Sequence, residues 1–568
     1  NRRVLYAQGA TEYEREMLVR VFNSRGIDMM KEYGIEYSGS EDLIVEKAVV
    51  IKKNGYEIKA DVDDGHVVFK TLEPDDFVYM KWRLRQSGIN MITTMFNDNI
   101  LFNGHLPVRL IRYSVLVPPG LFFSHRTFNM DDHPVVQKTE EGDLYEWSAS
   151  KEPALAAEPA MPPLSQIGKL LSISTIPSWQ SVVDWYADLA STRTKSSFEI
   201  QEQVADLFKE KKEWTTQEKI RKIYEFIVTS IHYSSVPFRQ SGIIPQKARD
   251  VLVNRIGDCK DVATLGIAML REVGIPAYHV LTRIRSIGSN PNELPSIGFD
   301  HCIIGIQTEN GIQYSDLTAQ FHPYGSAPGE DDGAFCLLIK PGEMEPFLQD
   351  SKQWLPNNIM RTYHAVLGED NSISIDQDSH YTGALTAGSR APYAEKGEAD
   401  QQKQLSNYLA EEFANAKLKT LSFANLDNLE PTFDLKYSFD VPNYLTGIGS
   451  LKAMKLPWAG EYRQSALSAL EKRRYPLRVW FGSDTLVERA SIEFPAGMKP
   501  MELVPEAKFS CSAAEYEETL SFDGTVLQAE RRLIFKKTFI PVEEYQAFRE
   551  FMNRLTKEDD KQILIGRK

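Results

Sequence analysis

The stretch Arg255–Ile275, RIGDCKDVATLGIAMLREVGI, constrains the chain more than any other. It opens polar and Gly-marked, then becomes an apolar run in which Leu265, Ala268, Met269 and Glu272 recur at helical spacing. It closes at Gly274, just before Pro276. A Gly suits the positive-φ residue after a helix, and a following Pro cannot continue one. Cys259 is therefore expected at or just before a helix N-terminus, where free N–H groups and the positive end of the dipole favour a thiolate. Asp258 is expected to cap the helix. Asp258 and Asp261 oppose a thiolate only if they point at the sulfur.

A single Cys in a polar turn is more often a bystander than a nucleophile. Two residues downstream change that. His301 follows Asp300 and opens the apolar strand HCIIGIQT, and Asp316 closes a second strand, IQYSD. The order Cys, His, Asp, with the last two on neighbouring strands, is that of a nucleophile, a base and its orienter. The strand register bears on this. Asn310-Gly311 signals a two-residue turn pairing Glu309 with Ile312. Asp316 then faces Gly305, and His301 lies roughly 13 Å further on at about 3.3 Å per residue. The motif takes precedence over the dipeptide, so a longer loop over about Gln307–Asn310 is expected to set His301 opposite Asp316.

Gly257-Asp258-Cys259-Lys260-Asp261, Phe299-Asp300-His301 and Ser315-Asp316-Leu317-Thr318-Ala319 together resemble the bacterial transglutaminase-like family. Thr215–Tyr233, Pro245 and Ala248 extend the likeness upstream. The resemblance implies a papain-like fold and a Cys259–His301–Asp316 triad. Where the family often has Asp-Pro-Thr this chain has Asp316-Leu317-Thr318, which relaxes the turn but keeps the carboxylate. The regions on either side are similar to the domains of unknown function that flank this core in Gram-negative envelope proteins. The fold class expected is α+β: residues 1–160 an antiparallel β-sandwich, 161–345 the papain-like transglutaminase core, and 346–568 a second β-rich sandwich with helical insertions.

At 568 residues the chain can bury several cores. A net charge of −14, with a pI near 5.4, argues against nucleic acid and anionic membrane surfaces as partners. No apolar run approaches the roughly 20 residues of a membrane helix. The chain begins Asn1-Arg2-Arg3, which reads as a processed or trimmed product. The resemblance favours the periplasm or cell envelope. Four cysteines (Cys259, Cys302, Cys336 and Cys511) are too few for a disulfide scaffold. Cys302 and Cys336 sit in apolar runs and read as core.

Along the first 160 residues, strand-like runs alternate, with Asn54-Gly55 marking a hairpin. Asp61, Asp63, Asp64 and His66, and again Asp131, Asp132 and His133, lack any recognised ligand spacing and read as acidic turns; no metal or organic cofactor is expected. The Pro-rich KEPALAAEPAMPPL reads as a connector. Trp179, Val182, Val183, Trp185 and Tyr186 fit a buried helix face. Thr215 and Glu218 form a capping box for a helix with Ile220, Ile223, Tyr224, Ile227 and Ile231 inward. His232 precedes Cys259, whereas the resemblance implies a base that follows it. His279 lies mid-strand and reads as structural. Tyr233 and Gln240 are the candidates for an oxyanion-hole side chain. Further on, EADQQKQLSNYLAEEFANAK and YRQSALSALEKRR read as helices among strands, and Pro541 suits the first position of a helix carrying Tyr545, Phe548, Met552 and Leu555.

These residues fit a thiol enzyme acting on amide bonds of a peptide or protein substrate through a thioester, with a peptidase or amidase preferred. A cross-linking acyltransferase has the same residues. A catalytically silent envelope scaffold, meeting a partner through its β domains, is the alternative from another class. A redox thiol protein is poorly supported, since there is no C-x-x-C.

Overall fold

The computed structural model describes residues 1–567 except 38–40, 87–94, 132, 236–242, 290–292, 344, 351, 353, 459–465, 480–483 and 504. Along the chain, one long sheet precedes and another follows a mixed helical and sheet core. The N-terminal sheet has eight strands, in the order 135–139, 142–152, 108–117, 2–5, 11–20, 77–86, 41–51 and 57–59. Alternation along Phe77–Gln86 explains its two faces. Val78, Met80, Trp82 and Leu84 point into a core, while Lys81, Arg83 and Arg85 pair with Glu12, Glu14 and Glu46 on the open side.

Two three-stranded sheets pack against the long sheet in two separate clusters. One brings Val67 against Val50, Val78 and Trp82; the other brings Leu171 and Ile173 against Tyr113 and Trp147. The strand Leu170–Ser174, beyond position 160, lies between Ser124–Phe128 and Asn97–Leu101. The hairpin at Asn54-Gly55 forms, with Gly55 at φ +83. Asp61 pairs with Lys70, and Asp64 accepts from the Tyr37 hydroxyl. Asp132 lies outside the described residues.

The core packs five helices against a five-stranded sheet ordered 311–315, 301–308, 277–283, 335–338 and 347–348. Thr215 and Glu218 do form a reciprocal capping box, opening Thr216–Ser230. Ile220, Ile223, Tyr224 and Ile227 of that helix are each at most 2% exposed. Val182, Val183, Trp185 and Tyr186 of Trp179–Ser191 face the same core.

The C-terminal sheet also has eight strands, ordered 417–424, 432–441, 373–382, 358–367, 485–493, 526–535, 514–522 and 506–510. The helix Tyr545–Asp559 lies on it through Tyr545, Phe548, Met552 and Leu555. Arg531, 1% exposed, joins Glu488 of the sheet to Asp559 at the helix end. Two local expectations fail here. Pro541 precedes a short 3-10 turn, Val542–Glu544, and the helix begins only at Tyr545. YRQSALSALEKRR, whose first residues lie outside the described set, shows one 3-10 turn, Ala466–Ser468. Its carbonyls at Leu467 and Leu470 accept from the Tyr545 hydroxyl, and Ser468 O accepts from Arg549, so tertiary contacts replace the helical ladder. The helix Glu398–Glu412 forms as its pattern implies.

Candidate active site

Cys259 is the first residue of the helix Cys259–Glu272, with Asp258 at the N-cap. Asp258 and Asp261 form a capping box, so each carboxylate serves the backbone of the turn. Asp258 also pairs with Lys260, and Asp261 accepts from the backbone and side-chain amides of Gln246 at 2.7 and 2.6 Å. At the far end Gly274 has φ +79, and the amides of Gly274 and Ile275 bond Arg271 O and Leu270 O, a Schellman closure. Upstream, His232–Tyr233 pairs in parallel with Ile256–Gly257, fixing the approach to the thiol. Cys259 itself is partly exposed.

His301 opens the strand His301–Thr308, and its Nε2 lies 3.1 Å from Asp316 Oδ2. The register that brings them together is neither of the two weighed from sequence. Thr308 pairs with Gly311 and Ile304 with Ser315, so the turn is Glu309-Asn310 and Asp316 continues opposite Ile303. The longer loop over Gln307–Asn310 does not form. His301 is the diagonal neighbour of Ile303's partner on the same face, a separation that long side chains span. Asp316 Oδ1 accepts from the Thr318 amide and hydroxyl, both at 2.8 Å, so Thr318 closes the turn that a Pro would otherwise stiffen.

The pair is electrically self-consistent. Burial opposes charge on His301, but the Asp316 carboxylate, its hydrogen bond and then a hydrogen bond with Cys259 push the imidazole up to about 11. Burial would raise Asp316, yet His301 and Thr318 hold it below its ordinary value. Nε2 is thus committed to the carboxylate, and Cys259 is among the groups that favour the charged imidazole.

Tyr233 lies beside this group. Burial, then the charges of Cys259, Asp258 and Asp316, push its hydroxyl up to about 12, so it stays an O–H donor. Gln240 lies outside the described residues. His232 is exposed. His279 is buried, its Nε2 2.9 Å from Thr264 Oγ1 and its ring edge-on to Tyr186, and burial pushes it down to about 3. Cys302 and Cys336 are buried core thiols; Cys511 is half-buried against the C-terminal core.

Sequence reasoning missed Asp331. It sits in Gly329-Glu330-Asp331-Asp332-Gly333, which by composition is a solvated acidic turn. In the fold it is 1% exposed, and a carboxylate oxygen lies within 4.8 Å of the ligand atoms of His301 and Asp316. Those three are the group among the described residues whose ligand atoms converge in this way, and Nε2 of His301 already meets Asp316.

The C-terminal region reaches the loops around the site. Arg390, 1% exposed, donates to Phe321 O, in the loop that follows Asp316, and to Asn425 O and Glu430 O of its own region. Arg478 donates to Arg285 O and to Gln166 Oε1.

Residues 202–303 match the family model of the Transglutaminase-like superfamily, a span that includes Cys259 and His301 and ends before Asp316. The chain therefore carries a transglutaminase-like core. Residues 454–565 match a Domain of Unknown Function family, DUF3858. Among solved structures, a protein of Parabacteroides distasonis provisionally described as a protease aligns over 99% of this chain and 97% of its own, with a TM-score of 0.68 and 15% identity, a likeness of fold. A protein of Cytophaga hutchinsonii provisionally described as a cysteine protease covers 39% of this chain and 78% of its own at 15% identity; its TM-score of 0.18 carries no argument. No protein of curated function matches the chain.

Proposed function

We propose that the protein is a thiol enzyme that cleaves amide bonds of a peptide or protein by acyl transfer to Cys259. The observation that supports this is the 3.1 Å contact of His301 Nε2 with buried Asp316, with the charged imidazole favoured by Asp316 and by Cys259, the first residue of its helix. His301 takes the thiol proton and forms a thiolate–imidazolium pair, while Asp316 fixes the ring through Nε2. The thiolate attacks the carbonyl carbon, and the Cys259 N–H at the helix start, with the Tyr233 hydroxyl, donates to the oxyanion. The carbonyl re-forms as the C–N bond breaks, His301 gives its proton to the leaving amine, and a thioester remains. Water, activated by the now neutral His301, then releases the acid and frees the thiol. Hydrolysis is preferred over cross-linking because the resemblance favours it; an amine acceptor follows the same path to the thioester. We further read residues 1–160 and 346–568 as β-sandwich-type domains that brace the core, in a protein of the cell envelope.

The test is a peptide-amide library scored for release, with and without a fluorescent primary amine. Hydrolysis lost in Cys259→Ala supports the peptidase or amidase reading, and amine incorporation moves it to a cross-linking enzyme. No acylation of Cys259 by any library member would remove the catalytic reading in favour of a binding scaffold.

A further inference from the structure

The acidic turn 329–333 is built to point its middle residue inward. Glu330 accepts through its backbone carbonyl from Arg285 N and through its side chain from Ser286 N, both at 2.9 Å, and Asp332 pairs with Arg285 at 3.1 Å. The outer acids thus tie the turn to the segment after the strand Ala277–Arg283. Gly333, at φ +72, lets the chain reverse into Phe335–Leu338. Between them Asp331 turns away from water. Pro328 O accepts from its amide and Ala334 N donates to its carbonyl, so its backbone is satisfied while its Oδ2 finds no hydrogen-bond donor among the described residues.

Two buried carboxyls this close do not both ionise. The proton goes to whichever is worse supported. Asp316 has His301, the Thr318 amide and the Thr318 hydroxyl. The groups facing Asp331 are Asp316 and His301, Tyr224 from the helix Thr216–Ser230, Cys336 from the next strand, and Glu330 of its own turn. Among the described residues His301 is the cation that acts on Asp331, and its Nε2 belongs to Asp316. We propose that Asp331 is a neutral carboxylic acid that donates its O–H to Asp316 and so positions the carboxylate that orients His301. Burial and the Asp316 charge both raise its pKa well above the ordinary value, in agreement. The arrangement is a Cys–His–Asp chain extended by one acid. Asp331 is a positioning residue, and its value rests on the proposed catalytic role of Cys259.

The first test does not depend on catalysis. At pH 8 the infrared spectrum of the whole protein should contain a protonated-carboxyl band that disappears in Asp331→Asn. The second uses Cys259 alkylation by iodoacetamide from pH 5 to 9. Asp331→Asn keeps an N–H donor and should follow the wild-type profile within about twofold. Asp331→Leu keeps volume without a donor and should slow alkylation at pH 7 by about tenfold, the loss of one charge-assisted hydrogen bond. The proposal is overturned if Asp331→Asn leaves the band unchanged, or if Asn and Leu act alike. It is also overturned if the purified protein carries a stoichiometric metal that Asp331→Asn loses, since Asp331 is then a ligand. A lost band with an unactivated Cys259 upholds the proton on Asp331 and removes the catalytic reading instead.

Discussion

Leu317 fills the space that Gly266 leaves on the helix that begins at Cys259. A Cβ built on Gly266 meets Leu317 Cδ1 far inside van der Waals contact, with Ile227 and Ile304 on either side. Glycine in mid-helix costs about 1 kcal/mol relative to alanine, and here it admits the neighbour of Asp316. The helix that presents Cys259 and the turn that presents Asp316 are therefore seated on each other.

Gly266→Ala should push Leu317 outward and destabilise the protein by about 1–2 kcal/mol, the cost of overpacking less the helical gain. Leu317→Ala in the same chain should recover part of that loss. Denaturant unfolding of the two single variants and the double variant checks the coupling; additive losses would mean that the two residues are independent.

Asp316→Asn keeps the shape but replaces the acceptor facing Nε2 with an amide. Without the carboxylate, His301 should fall from about 11 towards its ordinary 6.5. Acyl transfer should drop by roughly 10²–10⁴-fold through loss of ring orientation. Imidazole NMR across pH 5 to 11 reads the first, and single-turnover acylation the second.

Tyr233→Phe separates activation of the thiol from stabilisation of the oxyanion. If the hydroxyl donates to the oxyanion, turnover should fall by about 10²–10³-fold, while the rate of Cys259 alkylation stays as in wild type. Equal losses in both assays would place Tyr233 in the ion pair instead.

His279 should make the core acid-sensitive. Its folded value, about 3, lies below the ordinary 6.5, so between these limits the unfolded state binds more protons. Stability from this group is full above pH 6.5 and is lost on acidification, with a slope of up to about 1.4 kcal/mol per pH unit. His279→Gln should flatten the fall between pH 6.5 and 4 relative to wild type. Parallel slopes in thermal melts would show that other groups govern it.

Legibility in the sequence followed the range of the interactions. The helix Cys259–Glu272 was readable at both ends because Asp258 and Gly274 act within one turn of the chain. The alternation of Phe77–Gln86 and the inward face of Tyr545–Asp559 were readable for the same reason. The His301–Asp316 contact was legible as a motif but not as a register, because a diagonal pair satisfies it without direct opposition. Asp331 was not legible at all. Nothing in Gly-Glu-Asp-Asp-Gly distinguishes the middle acid until Arg285 fixes the outer two. YRQSALSALEKRR failed because Tyr545 and Arg549, some 75 to 81 residues away, take its carbonyls.

The pH dependence of Cys259 alkylation, measured by peptide mapping in wild type and His301→Ala, tests the central claim most directly. In wild type the thiol should react at an undiminished rate down to well below pH 8.5, the ordinary cysteine value, and in His301→Ala that acid-side reactivity should vanish. A wild-type profile centred near pH 8.5, or one unchanged by the loss of His301, would contradict the thiolate–imidazolium pair and the enzyme built on it.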